Sequence, residues 1–261
     1  MAAEAATPLL PPALWTAALQ GRTEEVRQLL EGGADIEEPG GSTESSPLGE
    51  AALRGHISTV QLLLSRDADV SAKAKGGETP LLFAALHGHA EVALLLLGQG
   101  ADIFAKNQVG NSSLHLALLF DGTAEVVLLL LDHGAEISAK RNDGQTPLHL
   151  AAYGGREELA RLLVEEGAEL SATDNLARTP EDIAHSRPRP RHLTLPRGMH
   201  PEEGVAAVAA GQAAVEVMLK AEVVRRAQCE AFAAGQHPRL GAESRVLEFD
   251  VGVARMILDC V

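Results

Sequence analysis

The chain is short of several things, and each shortage excludes something. Aromatic residues make up only 3% of 261 residues. That composition suits a helical stack of Leu and Ala. The two cysteines, Cys229 and Cys260, lie late in the chain and far apart. They form neither a disulfide framework nor a metal-ligand spacing, and a reducing compartment is the default. The N-terminus, MAAEAATPLLPP, lacks the basic region and apolar core of a signal peptide and the arginines of a transit peptide. The longest aliphatic runs, such as Val126–Leu131, fall far short of the roughly 20 residues that a membrane span requires. Together these features place the protein in the cytosol or nucleus. No G-x-S-x-G, P-loop, G-x-G-x-x-G before a helix, or H-E-x-x-H occurs, and neither cysteine has an adjacent histidine. The sequence therefore reads as a non-enzyme with no cofactor.

Positive charge is scarce in the first two-thirds. Residues 1–186 hold 12 basic and 27 acidic side chains, a net charge of −15, whereas residues 187–261 hold 10 and 9, a net charge of +1. Repulsion disfavours nucleic acid and anionic membrane as partners and favours a basic protein client. Six histidines (His56, His87, His89, His115, His133 and His149) are dispersed, with no carboxylate or cysteine completing a set, so no metal is expected.

What the chain does have is a repeat. The residue opening a short helix recurs at Pro47, Pro80, Ser113, Pro147 and Pro180, in steps of 33, 33, 34 and 33. The alanine closing each unit recurs at Ala34, Ala68, Ala101, Ala135 and Ala168, in steps of 34, 33, 34 and 33. Two markers with one period define a solenoid. The fullest unit is Gly144–Ala172: a turn at Gly144, a helix start at Thr146-Pro147, a break at Gly154-Gly155, and a second helix carrying Leu159, Leu162, Leu163 and Val164. Thr or Ser at 46, 79, 112, 146 and 179 can cap the first helix. The pairs Ala17-Ala18, Ala51-Ala52, Ala84-Ala85 and Ala151-Ala152 let neighbouring helices approach closely. Gly33, Gly100, Gly134 and Gly167 suit the left-handed residue that ends a second helix.

This pattern resembles the ankyrin repeat, G-x-T-P-L-H-x-A-x-x-G-H followed by a Leu-rich helix and G-A-D. Gly77–Lys106 and Gly144–Ala172 match nearly in full, Pro47–Lys73 and Gly110–Lys140 with substitutions, and Leu14–Ile36 as an N-terminal cap. Thr179–Ala184 is a first helix with no second helix in register. The fold class is thus an all-α ankyrin-repeat solenoid over residues 14–186. A disordered terminus (1–13) precedes it, and a Pro/Arg-rich linker (187–201) and a C-terminal helical segment (202–261) follow. His115 and His149 match the motif histidine that, in the family, bonds local backbone. Trp15 holds the same position, where it is expected to cover the exposed first face of the stack. Gly49 and Glu50 depart from the motif, and Glu38–Ser45 reads as an irregular loop, so the second repeat is expected to be the weakest. The family's frequent asparagine after G-A-D is replaced by Glu37, Ser71, Phe104, Ser138 and Ser171, which withdraws any asparagine-hydroxylation role.

The resemblance implies a protein-binding concave face made by the hairpin tips and the ends of the first helices. The candidate contacts at the tips are Lys75, Glu78, Gln108, Asn111, Arg141, Asn142 and Gln145. Those on the helices are Arg54, Leu86, His87, Leu119, Phe120 and Tyr153, with the aromatics as anchors; the alternative is that Leu86, Leu119 and Phe120 tuck into the core between repeats. Arg189, Arg191 and Thr194 read R-x-R-x-x-T, similar to a basophilic kinase site, which makes Thr194 a candidate phosphorylation site. Prolines between the arginines argue against nuclear import. Glu202–Ala234 reads as one helix with Val205, Val208, Val215, Met218, Leu219 and Val223 on one face. It is expected to pack on the open end of the last repeat. In Ser244–Val261 an apolar side (Val253, Met256, Ile257, Cys260) follows Asp250. It could close the end of that helix or dock a second partner. The leading function is an intracellular interaction scaffold. The alternative is a two-ended adaptor in which 202–261 recruits machinery such as a ubiquitin ligase.

Overall fold

The computed structural model describes residues 12–119, 123–185 and 201–233, with side chains in the last helix from 209 to 226. Phe120, Asp121-Gly122, the linker with Thr194, both cysteines' side chains and the segment 234–261 lie outside the described residues.

Thr or Ser before a helix-opening Pro fixes the start of four of the units, those at Pro47, Pro80, Pro147 and Pro180. Ser46 Oγ accepts from the Gly49 N–H and Thr79 Oγ1 from the Leu82 N–H, with Pro at the first helical position. The result is a series of antiparallel helix pairs: α1 (Ala13–Leu19) with α2 (Thr23–Glu31), α3 (Pro47–Arg54) with α4 (Ile57–Leu64), α5 (Pro80–Leu86) with α6 (Ala90–Gly98), α7 (Ser113–Leu119) with α8 (Ala124–Asp132), and α9 (Pro147–Gly154) with α10 (Glu157–Glu165). First helices stack on first helices through the buried alanine pairs and through Leu48, Leu81, Leu114 and Leu148. Second helices stack on second helices through Val60, Val92, Val126 and Leu159 and the leucines beside them. Each helix is too short to be stable alone, so its stability comes from this continuous core.

The sixth pair is assembled differently. α11 (Pro180–His185) is a first helix, and Asp182 replaces the motif histidine in its cap: the Thr179 N–H and hydroxyl both donate to Asp182 Oδ2, at 2.8 and 2.7 Å. Residues 186–200 intervene before α12 (Pro201–Ala233). Glu216 of α12 lies at the end of α11, 3.2 Å from His185 Nδ1, and Lys220 is 3.9 Å from Glu181 at its start. The two helices are therefore antiparallel, and α12 runs alongside α10, as α10 does alongside α8. α12 is the second helix of the last repeat, supplied after a detour. Val215 and Leu219 are buried in the common core. Gly211 passes so close to the Gly155 carbonyl that any Cβ there would collide with backbone. Gln212 Nε2 donates to the Tyr153 carbonyl at 2.7 Å, and Arg226 Nη2 donates to the Val164 carbonyl at 3.0 Å, capping α10.

Two expectations about the first repeats need correction. Glu38–Ser45 is not an irregular loop. Gly40 and Ser45 form an antiparallel bridge, with the Gly40 N–H donating to the Ser45 carbonyl at 3.0 Å. Trp15 does not cover the outer face of the stack. It is buried beneath Gly40 and Gly41, which have no Cβ to exclude it, and its Nε1 donates to Ser45 Oγ at 3.2 Å. The departures in the second repeat also compensate one another. Phe83 of the next repeat lies against the bare Gly49, and buried Glu50 accepts from Ser45 Oγ and Arg54 Nε, both at 3.1 Å.

Candidate protein-binding face

Between each second helix and the next first helix the chain makes a narrow finger. Five fingers stand in a row: Gly40–Ser45, Ala74–Glu78, Asn107–Asn111, Arg141–Gln145 and Asp174–Arg178. Each from the second onward closes with a bond from its first N–H to its last carbonyl, at 2.9, 3.1, 3.0 and 3.0 Å. Asn107 Oδ1 and Asp174 Oδ1 brace their tips by accepting from the N–H groups two and four residues on.

The fingers are also laced to one another. Backbone N–H groups of Lys75, Gln108, Asn142 and Asn175 donate to the carbonyls of Thr43, Gly76, Val109 and Asp143. Side-chain amides of Gln108, Asn142 and Asn175 donate to the carbonyls of Lys75, Gln108 and Asn142, at 2.8, 2.8 and 3.0 Å. Lys106 and Lys140 repeat the pattern at the finger bases, each ammonium donating to a carbonyl one repeat ahead.

Histidines set the fingers on the helices. His149 Nδ1 accepts from the Thr146 N–H, so Nε2 carries the proton and donates to the Arg178 carbonyl at 3.0 Å. His115 does the same between Ser112 and the Gln145 carbonyl. Burial pushes the His115 imidazole down to about 4, against the bond to Gln145, with Arg141 and Lys106 adding to the fall. His149 is lowered too, again chiefly by burial. His56 and His89 reach the other way, to the Leu19 and Leu53 carbonyls of the preceding repeat. At the last finger, burial alone would raise the Asp174 carboxyl. Arg178 and the backbone N–H groups of Arg178 and Leu176 overcome this and hold it at about 2. Among the described residues no cluster of His, Cys, Asp or Glu could hold a metal ion.

The candidate contacts divide by what their side chains already do. Lys75 is exposed and ion-paired with Glu44 at 2.6 Å. Gln108 and Asn142 are exposed, but their amides lace the fingers. Glu78 and Gln145 are half-buried, and Glu78 Oε1 accepts from Asn107 Nδ2. Arg54 is half-exposed over Glu50, and His87 is exposed beside His89. Leu86, Leu119 and Tyr153 are half-buried against the core. Arg141 and Asn111 are not surface groups: the Arg141 side chain is 15% exposed, and Asn111 is buried. Arg141 Nε, Asn111 Oδ1 and Ser113 Oγ are buried with no hydrogen-bond partner among the described residues, and all three lie at the third and fourth fingers or the start of α7.

Three apolar groups stand out that periodicity did not flag as contacts. Val109 and Leu176 crown two fingers, 50% and 71% exposed, where the second and fourth fingers carry Gly76 and Asp143. Phe104, 64% exposed between α6 and the third finger, stands between two clefts of about 410 and 260 Å³. Its replacement of the family asparagine was the available signal. Charge is also uneven. The fingers and their flanks carry Lys73, Lys75, Lys106, Lys140, Arg141 and Arg178 against Glu44, Glu78, Asp143 and Asp174. The array's acidity lies on the second helices and the turns after them.

A stack of two-helix units with laced fingers defines a repeat protein of the recognition type. The family model for ankyrin repeats, three copies, matches residues 14–107, 48–141 and 81–174. These matches run together over 14–174, well over half of the chain, and the chain belongs to the ankyrin repeat family. No curated protein matches it at a significant level. Ankyrin repeats generally mediate protein–protein interaction. Among the described residues no helix is long and apolar enough to cross a membrane.

Proposed function

We propose that this chain is an intracellular, non-enzymatic scaffold that binds a protein partner along the finger row and the first-helix ends, the concave side of the array. The observation that carries the reading is the lacing. Backbone and amide bonds between consecutive fingers hold the surface in one conformation before any partner arrives, so little ordering is required on binding. On that rigid row Val109 and Leu176 offer apolar contact to a partner. The array's net charge draws a basic client from a distance, while the mildly basic fingers select a mixed or acidic patch at contact.

One observation favours a second surface. Leu94 and Leu128 are 49% and 40% exposed on α6 and α8, where the other second helices carry Arg27, Gln61 and Arg161. A photo-crosslinking residue at 109 or 176, compared with one at 94 or 128, tells the two apart in cells. Labelling of a partner from 109 and 176 is the expected result. Labelling from 94 and 128 alone would transfer the function to the second-helix layer. In the adaptor alternative, recruitment falls to residues 202–261, of which α12 uses one face on the last repeat.

A further inference from the structure

The second-helix layer ends in an open groove. α10 and α12 run side by side, and the space between them is about 1100 Å³. Val164 of α10 and Ala213, Val217, Met218 and Ala221 of α12 make it apolar, and Arg161 and Arg225 stand on its rims. α12 carries two faces. One, through Gln212, Val215 and Leu219, is buried against the array. The other, Ala213, Val217, Ala221 and Val224 at steps of four, four and three, is exposed, with Val217 68% and Val224 53% exposed. A helix with only one partner needs only one apolar stripe. The second stripe is small-sided, which lets another helix approach closely, and among the described residues nothing covers it.

We propose that the groove is filled by this chain's own residues 250–261, seated as a helix through Val253, Met256, Ile257 and Cys260. Those four stand at i, i+3, i+4 and i+7, the spacing with which a helix enters a groove. They span about 10 Å at 1.5 Å per residue, and the groove, from the level of Glu157 to that of Gly167, runs about 15 Å. Reach is ample. Residues 234–252 separate the end of α12 from Val253, and at roughly 3.3 Å per extended residue they reach about 60 Å, more than twice the roughly 24 Å back along α12 to Val217. The rims themselves are charge-balanced, with Arg161 paired to Glu157 at 2.8 Å and Arg225 to Glu222 at 2.7 Å, so the apolar floor is what the segment would recognise. Attachment to the same chain also gives this segment an effective concentration that a separate partner rarely reaches.

The test uses the full chain. Cys229→Ala removes one thiol, Val217→Cys places another in the groove, and native Cys260 is the reporter. Diamide should oxidise the 217–260 pair to a disulfide within one chain, seen as a cross-linked peptide in monomeric protein. Adding Ile257→Asp should abolish it. Without added cysteines, Ile257→Asp should speed amide exchange over 213–221 roughly tenfold or more while leaving α3–α7 unchanged. Failure to form the disulfide, a disulfide joining two chains, or identical exchange in the Ile257→Asp chain each overturns the proposal.

Discussion

At the scale of single residues, the repeat is held by side chains that reach into the neighbouring unit, and their effects are separable. Trp15 fills the space under Gly40–Gly41 and is bonded to Ser45. Trp15→Ala should cost about 3–5 kcal/mol in chemical denaturation, the usual range for emptying a large aromatic site. His115 gives a pH dependence. Its imidazole is held neutral in the folded chain down to about 4 and titrates near 6.5 when unfolded. Its contribution is complete above pH 6.5 and is lost as pH falls toward 4, by about 3 kcal/mol at the limit. His149 acts in the same direction, and Asp174 adds a further loss between pH 3.8 and about 2. Unfolding midpoints measured from pH 7.5 to 4 should fall, and His115→Gln should flatten that slope. An unchanged slope would show that burial does not keep this histidine neutral. The motif histidines were legible in the sequence because their spacing is fixed. Trp15's place was not: the missing Cβ atoms that admit it belong to residues 25 and 26 positions away.

At the scale of elements, period and capping residues located the helix pairs, because every first helix after α1 opens on Ser or Thr and the first five units close on the same alanine. α12 was legible as a helix from its apolar spacing, and its bounds, Pro201–Ala233, lie within a residue of those expected. Its packing on the open end of the last repeat was expected, but its antiparallel pairing with α11 was not, since residues 186–200 stand where the other described pairs have a short glycine turn. The second repeat misled in the opposite direction. Gly49, Glu50 and the loop before them are departures from the motif one by one, yet they fit together through Phe83, Arg54 and Ser45. Gly211 is the point at which α12 meets the array. Gly211→Val should lift that helix from the Gly155 carbonyl, costing roughly 1–3 kcal/mol as overpacking does. Amide exchange should then rise across 209–226 and α11 but not in α3–α7. Uniform destabilisation along the chain would contradict this end-on arrangement.

At the scale of the whole molecule, the account rests on one rigid row of fingers above a stack of short helices. The expectation of a protein-binding face came from family resemblance alone. Asn111 and Arg141 were read as contacts, but Asn111 is buried and Arg141 is largely covered, because finger-base positions turn inward and finger-tip positions turn outward within a span of four residues. The most direct measurement is affinity capture from cells with the full chain and with a variant changed only at exposed positions: Lys75→Glu, His87→Glu, Val109→Asp and Leu176→Asp. The two forms should melt together, within the small change that surface substitutions bring. The account predicts that partners held by the wild type are lost from the variant. Retention of every partner by a variant that melts with the wild type would contradict it.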